Sequence, residues 1–484
     1  MKKNVRLLSL VLVMVMAVTL LGACGQEATP STATPSASSS STPTEAPSTV
    51  PPEEPDTITA LLPPITNEFV NRLEQVEAKF KEKYPHLTLK IEAASWDDRI
   101  EKLDTQVNAG TPPDIAFLGS EFIAKYVDMG VAMDITKYAT ADMIADFDPA
   151  PIQYMKNGNG LYGLPAYMEI HGIGGNKEYM EAAGIDWKSI QKNGWTFEEF
   201  AAAVKKSVGV KGANSTSKYG LVFATAGTTT KNYIEIFAKN GGMPSEFDSS
   251  LKYTYTSKDF LKVLEGVSEL INNGANMNAT SGERWNLFLT GQTVFTGKGL
   301  ATFENSAKKN NAKIKANDGT AVKDSLPVDY VVMPVPTSNG ASPAYYAVVD
   351  GYVTFRGKQA PTEAHMNNVV KAAYYLASGE NAAEVNADLF AVNISKSGQE
   401  ASSKYPIERN AENLACTEGL MGKAAPARPE IPSDKLAQGT KIMTEVIIPK
   451  FQALLAKEIT PQQMYDAIYE AAVAAFGEDG IVKD

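Results

Sequence analysis

An α/β protein of two lobes is the fold class that the sequence predicts, on three observations. The chain has 484 residues, more than one ordinary domain holds, so two lobes sharing an interface are expected once processed segments are set aside. From Thr57 onward, short apolar strands alternate with helices of period 3.6, which is the pattern of a parallel sheet with helices on its faces. Hydrophobic residues make up 44% of the chain and charged residues 21%, so the supply of core is that of a globular protein.

The elements follow in order. Ile58-Thr59-Ala60-Leu61-Leu62 reads as a short buried strand, and Phe69, Leu73, Val76 and Phe80 then recur at helical spacing. Leu87, Leu89 and Ile91 alternate as a second strand. A second helix carries Ile100, Leu103 and Val107 and stops at Gly110, and Ile115 to Leu118 supplies the third strand. In open sheets of this kind ligands sit beyond the carboxyl ends of the strands, which singles out the loops Pro63 to Glu68, Ala93 to Asp98 and Gly119 to Phe122. Further on, Thr196 with Glu199 and Thr460 with Gln463 are capping-box pairs that start helices. Long amphipathic helices are expected over Ile442 to Leu455 and Met464 to Phe476.

The N-terminus carries Lys2, Lys3 and Arg6, then an uncharged apolar run from Leu7 to Leu21 ending in Gly22-Ala23-Cys24. That reads as a secretory signal over 1–23, and its end resembles the bacterial lipobox, which implies a lipidated Cys24 and a location on the outer face of the cytoplasmic membrane. A transmembrane anchor would need a longer run. Residues 24–55 then read as a disordered tether, because residues 25–55 hold seven Pro, seven Ser and six Thr and bury too little apolar surface to offset ordering entropy. The only other cysteine is Cys416, so no intrachain disulfide is expected in the mature chain, and Cys416 reads as a structural thiol. The formal net charge of −11 opposes phosphate backbones, so nucleic acid is not an expected partner. Gly-x-Ser-x-Gly, P-loop, His-Glu-x-x-His and Cys-x-x-Cys patterns are all missing from the sequence, and no metal, cofactor or catalysis is expected.

Several phrases in sequence then point to a family. Trp96-Asp97-Asp98 precedes a helix and Gly110-Thr111-Pro112-Pro113-Asp114-Ile115; Leu161-Tyr162-Gly163-Leu164-Pro165 follows; then come Asn176-Lys177, Ala183-Gly184-Ile185, Trp195 to Phe200, Tyr219-Gly220-Leu221, Phe288-Leu289-Thr290-Gly291 and Met333-Pro334-Val335-Pro336. In this order the chain resembles the extracellular solute-binding proteins of carbohydrate ABC importers, the family that includes maltose-binding protein. The resemblance departs where the family's Gly-Pro-Trp is replaced by Thr296-Gly297-Lys298, which removes a sugar-stacking tryptophan. It implies a type II periplasmic-binding-protein-like fold with hinge-connected lobes and a ligand cleft between them. Crossing strands are implied near Tyr167 to Ile170, near Phe295 and near Ala347 to Gly351. Lobe 1 would then comprise 56–168 plus about 295–347, and lobe 2 about 170–294 plus 348–484. The implied partners are a small solute, an ABC permease and the membrane, with the protein itself a monomer.

A sugar presents apolar C–H faces ringed by hydroxyls, so its site needs aromatic platforms and fixed polar groups. The aromatic candidates are Trp96, Tyr167, Tyr233, Trp285 and Tyr352, each near an expected loop or crossing. Glu169 stands seven residues before Asn176, where similar proteins place a cleft carboxylate at the hinge. Ser120 and Glu121 follow the third strand, and Asn67 and Glu68 occupy the analogous first loop. Lys298, in the altered crossing, either meets an anionic group or points to solvent. Asp114, inside the Pro-Pro-Asp-Ile turn, reads as structural. A peptide, a polyamine or another polar solute stays open beside an oligosaccharide, as do a tethered glycosidase and a surface sensor.

Overall fold

The computed structural model describes residues 54–483, apart from 67–68, 97, 244 and 426–430. The signal segment, Cys24, most of the tether, and the candidates Asn67 and Glu68 lie outside the described residues. Among the described residues no helix is long and apolar enough to cross a membrane.

Twelve strands form among the described residues: β1 (Asp56–Leu62), β2 (Leu87–Ala93), β3 (Ile115–Gly119), the short pair β4 (Lys156–Asn157) and β5 (Gly160–Leu161), β6 (Gly163–Ile170), β7 (Gly172–Asn176), β8 (Tyr219–Ala224), β9 (Asn276–Ala279), β10 (Thr293–Gly299), β11 (Tyr330–Met333) and β12 (Ala347–Thr354). Ten of them assort into two five-stranded sheets of order β2-β1-β3-β12-β6 and β11-β7-β10-β8-β9, and β4 pairs with β5 alone. The expected parallel run is present, since β1 pairs parallel with β2 and with β3. β12 then inserts antiparallel between β3 and β6. In the second sheet β8, β9 and β10 are parallel neighbours, while β7 runs antiparallel to β10 and β11.

Two separate cores explain the two lobes. In the first, Ile58, Phe80, Leu87, Leu103 and Ile115 are wholly buried, with Val349, Val353 and Val369 from later in the chain. The helix Arg99–Ala109 ends as expected, because Gly110 takes the left-handed φ of 79° that closes its last turn. In the second core, Phe200, Phe237, Phe260, Phe288 and Phe295 are enclosed together. The helix Lys258–Asn272 buries Phe260, Val263, Leu264, Val267 and Leu270, one continuous stripe at i, i+3, i+4, i+7 spacing.

The lobe boundaries differ from those expected. β10 and β11 belong to the second sheet, whereas β12 and the helices Glu363–Ala377 and Gly379–Leu389 pack in the first core. The segments 295–347 and 348–389 are therefore exchanged relative to the expectation, because strand pairing is a non-local choice that local apolar patterning does not specify. For the same reason no crossing occurs at Phe295, which lies fully buried beside Trp195 and Phe200. The chain crosses between sheets at 170–172, again between β11 and β12, and a third time between Leu389 of the first core and Cys416 of the second.

Both expected capping boxes form. Thr460 Oγ1 accepts from Gln463 N at 3.2 Å, and the Gln463 side chain accepts from Thr460 N at 2.9 Å. This starts the helix Pro461–Phe476, which buries Met464, Ile468 and Ala472. Thr460→Ala is expected to lower stability by about 1 kcal/mol, measured as a shift of the urea midpoint at unchanged slope. The helix expected over 442–455 is interrupted by a π turn, Met443–Ile447. Pro449 lacks the N–H that a regular turn would use there and its ring crowds the preceding carbonyl, so the backbone widens by one residue.

Candidate functional site

The carboxyl ends of the parallel strands carry the loops that matter. β3 runs out into the 3-10 turn Ser120–Phe122, and β8 leads through a short turn into the helix Thr230–Lys239. These two ends meet: Lys231 Nζ stands 3.8 Å from Glu121 Oε1 and 4.8 Å from the centroid of the Phe122 ring. One lobe supplies the carboxylate and ring, the other the ammonium. Ser120 is half-buried in the same turn.

The floor of this meeting place is the first crossing. Tyr167 and Glu169 lie on one face of β6, and across the ladder they pair with Asp350 and Val348 of β12. Next to Asp350 the register shifts at Gly351, where a Cβ would stand 2.5 Å from the Leu164 carbonyl oxygen; only glycine lets the strands approach there. The Tyr167 hydroxyl lies close enough to the Asp350 carboxylate to favour its ionised form. The Glu169 side chain is 20% exposed, with Oε2 3.9 Å from His171 Nε2, and that nitrogen faces Lys298 Nζ at 3.5 Å. Arg284 Nη1 donates to the Lys298 carbonyl at 2.9 Å and to Thr296 Oγ1 at 3.4 Å. Tyr346 sets its ring edge-on to His171 at 4.9 Å.

Burial dominates the electrostatics of this cluster. It pushes Glu169 up to about 7, with Lys298 pulling the other way and Asp350 adding to the rise. It pushes Asp350 up to about 6, helped by Glu121 and opposed by Arg99, Tyr167 and Lys298. Lys298 is pushed down by the same burial, against the pull of Glu169 and Asp350. His171 falls well below the imidazole range, through burial and the charges of Lys298 and Arg284. Ionised groups held in this way are poised to exchange partners when another polar molecule arrives.

Of the sequence candidates, Ser120, Glu121, Glu169 and Lys298 come together here, and Tyr167 joins them through Asp350. Trp96 stands at the edge: its Nε1 donates to the Pro64 carbonyl at 3.0 Å, and the Arg99 guanidinium lies 4.8 Å from its ring. Three aromatic candidates are corrected. Tyr233 is fully buried and stacked on Phe237 at 4.3 Å, because on its helix it points roughly 200° away from Lys231, which faces the cleft. Tyr352 is 2% exposed and packs edge-on against Phe117 in the first core. Trp285 stacks on Phe288 and Phe303 within the second lobe. Lys298 is half-buried beside His171, not turned to solvent. Asp114 is structural as expected, although its partners are distant in sequence: Thr59 N at 2.8 Å, Thr59 Oγ1 at 2.9 Å and His365 Nε2 at 3.1 Å.

Sequence reasoning missed Asp350, His171, Arg284, Arg99 and Lys231. Asp350 carried a usable signal, as a carboxylate in the apolar run Ala347 to Thr354. Beside the crossing, a cavity of about 620 Å³ opens between the helices Ala301–Ala316 and Gly379–Leu389, lined by Thr66, Arg72, Asn305, Lys308, Asp388 and Phe390. A smaller cavity of about 30 Å³ touches Tyr167 and Glu169 and shares Phe390 with it.

Known proteins share this fold. The ABC substrate-binding protein from Listeria monocytogenes in complex with cycloalternan superposes with a TM-score of 0.66 at 17% identity, over 88% of this chain and 100% of that one. The GacH receptor of Streptomyces glaucescens, solved unliganded and with acarbose, gives 0.67 at 16% identity over 88% and 100%. Maltose-bound MalE3 of T. maritima gives 0.66 at 18% identity over 86% and 99%. In sequence, a binding protein of Brucella abortus is 29% identical over 112 residues, which span 23% of this chain and only 27% of that relative's length. Residues 63–378 match the family described as bacterial extracellular solute-binding protein. That match takes in more than half of the chain, the whole second sheet, every strand of the first but β1, and the crossing that carries Glu169, and the chain belongs to this family.

Proposed function

We propose that this protein is the substrate-binding component of an ABC importer, anchored through Cys24 at the outer face of the membrane, which captures a saccharide between its lobes and hands it unaltered to a permease. The observation that carries this reading is the polar cluster at the crossing: Glu169 and Asp350 from the first sheet meet Lys298 and Arg284 from the second lobe. A solute bridging those groups favours the closed arrangement of the lobes by its own differential contacts. The cavity of about 620 Å³, which shares Phe390 with the smaller one that touches Glu169, falls in the range of about 300–1,000 Å³ usual for ligand sites, and it suits a solute of more than one ring. The three proteins of similar structure named above were solved with, or in complexes that include, cycloalternan, acarbose and maltose, which supports a saccharide. The lipobox-like Leu21-Gly22-Ala23-Cys24 supports the anchor.

Titration calorimetry of the purified protein against mono- and oligosaccharides tests the reading, with chromatography of the same mixtures afterwards. Binding of one saccharide per chain with no new product is the expected result. Accumulating product would make the protein an enzyme, and no heat with any saccharide, alongside binding of a peptide or polyamine, would replace the solute class.

A further inference from the structure

We propose that the saccharide is acidic, its anionic group being received by Arg284 and Lys298; this rests on the saccharide reading above and narrows it. The second-lobe side of the crossing is made of donors. Arg284 is only 5% exposed, yet its guanidinium is held by neutral acceptors, the Lys298 carbonyl and the Thr296 hydroxyl, and its Nε has no hydrogen-bond partner in the protein. Among the described residues, no carboxylate oxygen stands within the 4.0 Å of an ion pair from either Arg284 or Lys298. The nearest polar contact of the Lys298 ammonium is His171 Nε2 at 3.5 Å. An ammonium can only donate, so Nε2 accepts and the imidazole proton sits on Nδ1. His171 is 1% exposed and its Nδ1 is likewise without a partner.

The buried Arg284, the half-buried Lys298 and the buried His171 therefore stand linked on one wall. The carboxylates that face them, Glu169 of β6 and Asp350 of β12, belong to the opposite lobe. Burying cations without a paired anion is costly, and a planar carboxylate or a sulfate is the group that a guanidinium fork and an adjacent ammonium recognise. A neutral sugar would satisfy the donors but bring no negative charge within ion-pair distance of them. The hydroxyls of an acidic saccharide remain available to the first-lobe carboxylates, so both walls are used.

The test compares oligosaccharides of glucuronate and galacturonate with the neutral glucose and galactose oligosaccharides of the same linkage and length, and adds a sulfated disaccharide to separate carboxylate from sulfate. Thermal melting and calorimetry are read on the wild type and on Lys298→Met. The wild type is expected to bind an acidic saccharide at least tenfold more tightly than its neutral counterpart. Lys298→Met removes a half-buried charge that has no ion-pair partner within 4.0 Å among the described residues, so its unliganded melting temperature should equal or exceed that of the wild type, while the tenfold preference disappears. Arg284→Gln should abolish the preference as well, and the Lys298 variant keeps the test alive if that protein folds poorly. Tight binding of neutral saccharides with no acidic preference, or an acidic preference that survives in Lys298→Met, overturns the inference and leaves the saccharide reading standing. Binding of no saccharide of either kind overturns the saccharide reading itself.

Discussion

Glu169→Ala is expected to weaken solute binding roughly 10- to 150-fold, the loss of about 1.5–3 kcal/mol that accompanies removal of a charged hydrogen-bond acceptor. The reason lies in the position of the carboxylate. β6 ends one residue later, at Ile170, and the chain enters the second sheet at Gly172, so Glu169 sits where the lobes join, 20% exposed. Burial raises it to about 7, above its ordinary value near 4.5, so the folded protein holds its proton more tightly than the unfolded chain does. A carboxyl shifted in that direction costs stability as pH rises from about 4.5 to about 7. Glu169→Gln should therefore leave the unliganded melting temperature unchanged at pH 5 and raise it slightly at pH 8. Solute hydroxyls donating to Glu169 favour its ionised form, so wild-type affinity should climb as pH rises toward 7 and level off above it. Asp350, pushed up to about 6, titrates in the same direction at slightly lower pH. Calorimetry between pH 5.5 and 8.5 checks the profile: the part of the climb centred near 7 should vanish in Glu169→Gln. Unchanged affinity in Glu169→Ala would remove this residue from the site.

What the sequence made legible divides along a physical line. β1, β2 and β3 and the helices between them are encoded locally: Ile58, Leu87, Leu103 and Ile115 are apolar at the period of their element, and Gly110 stops its helix because only an achiral residue enters the left-handed region freely. The capping boxes at Thr196 and Thr460 are equally local. Glu169 was reachable because a resemblance fixed its distance from Asn176. The lobe assignment of β10 and β12 was not reachable, since pairing partners far away in sequence decide it, as when Phe295 meets Gly175 and Leu221, or Gly351 meets Leu118 and Pro165. Tyr233 shows a different failure. Its composition fits a sugar platform, but helical phase turned it into the core and presented Lys231 instead. Arg284 was hidden by the same logic, as a charged residue whose burial nothing in its neighbours Glu283 and Trp285 announces. The aromatic inventory of the chain thus went largely into the cores, and the cleft was left to charged side chains.

His365 should make the first lobe pH-sensitive on the alkaline side. It stands on the helix Glu363–Ala377 with Nδ1 2.9 Å from Asp56 Oδ2 and Nε2 3.1 Å from Asp114 Oδ1, so one imidazolium ties the start of β1 to the entry of β3. The hydrogen bond to Asp114 raises His365 most; burial opposes the rise, the bond to Asp56 adds to it, and the result is a shift up to about 9. The folded state therefore binds a proton that the unfolded chain releases near 6.5. The stability from this proton is fully present below about pH 6.5 and is lost as pH rises through about 9. A shift of that size corresponds to roughly 3 kcal/mol, with the three side chains each about a quarter exposed, so the measured value should fall at or below that figure. His365→Gln keeps a donor but carries no titrating charge, and should be less stable than the wild type at pH 6 by up to that amount. The two urea midpoints should converge by pH 10, where the wild-type imidazole is neutral. Asp56 and Asp114 do not collapse in the variant, because Asn368 and Thr57 still serve the first and Thr59 the second. A difference between wild type and variant that stays constant from pH 6 to pH 10 would mean that His365 acts through packing alone, and that the proton between the two aspartates contributes nothing.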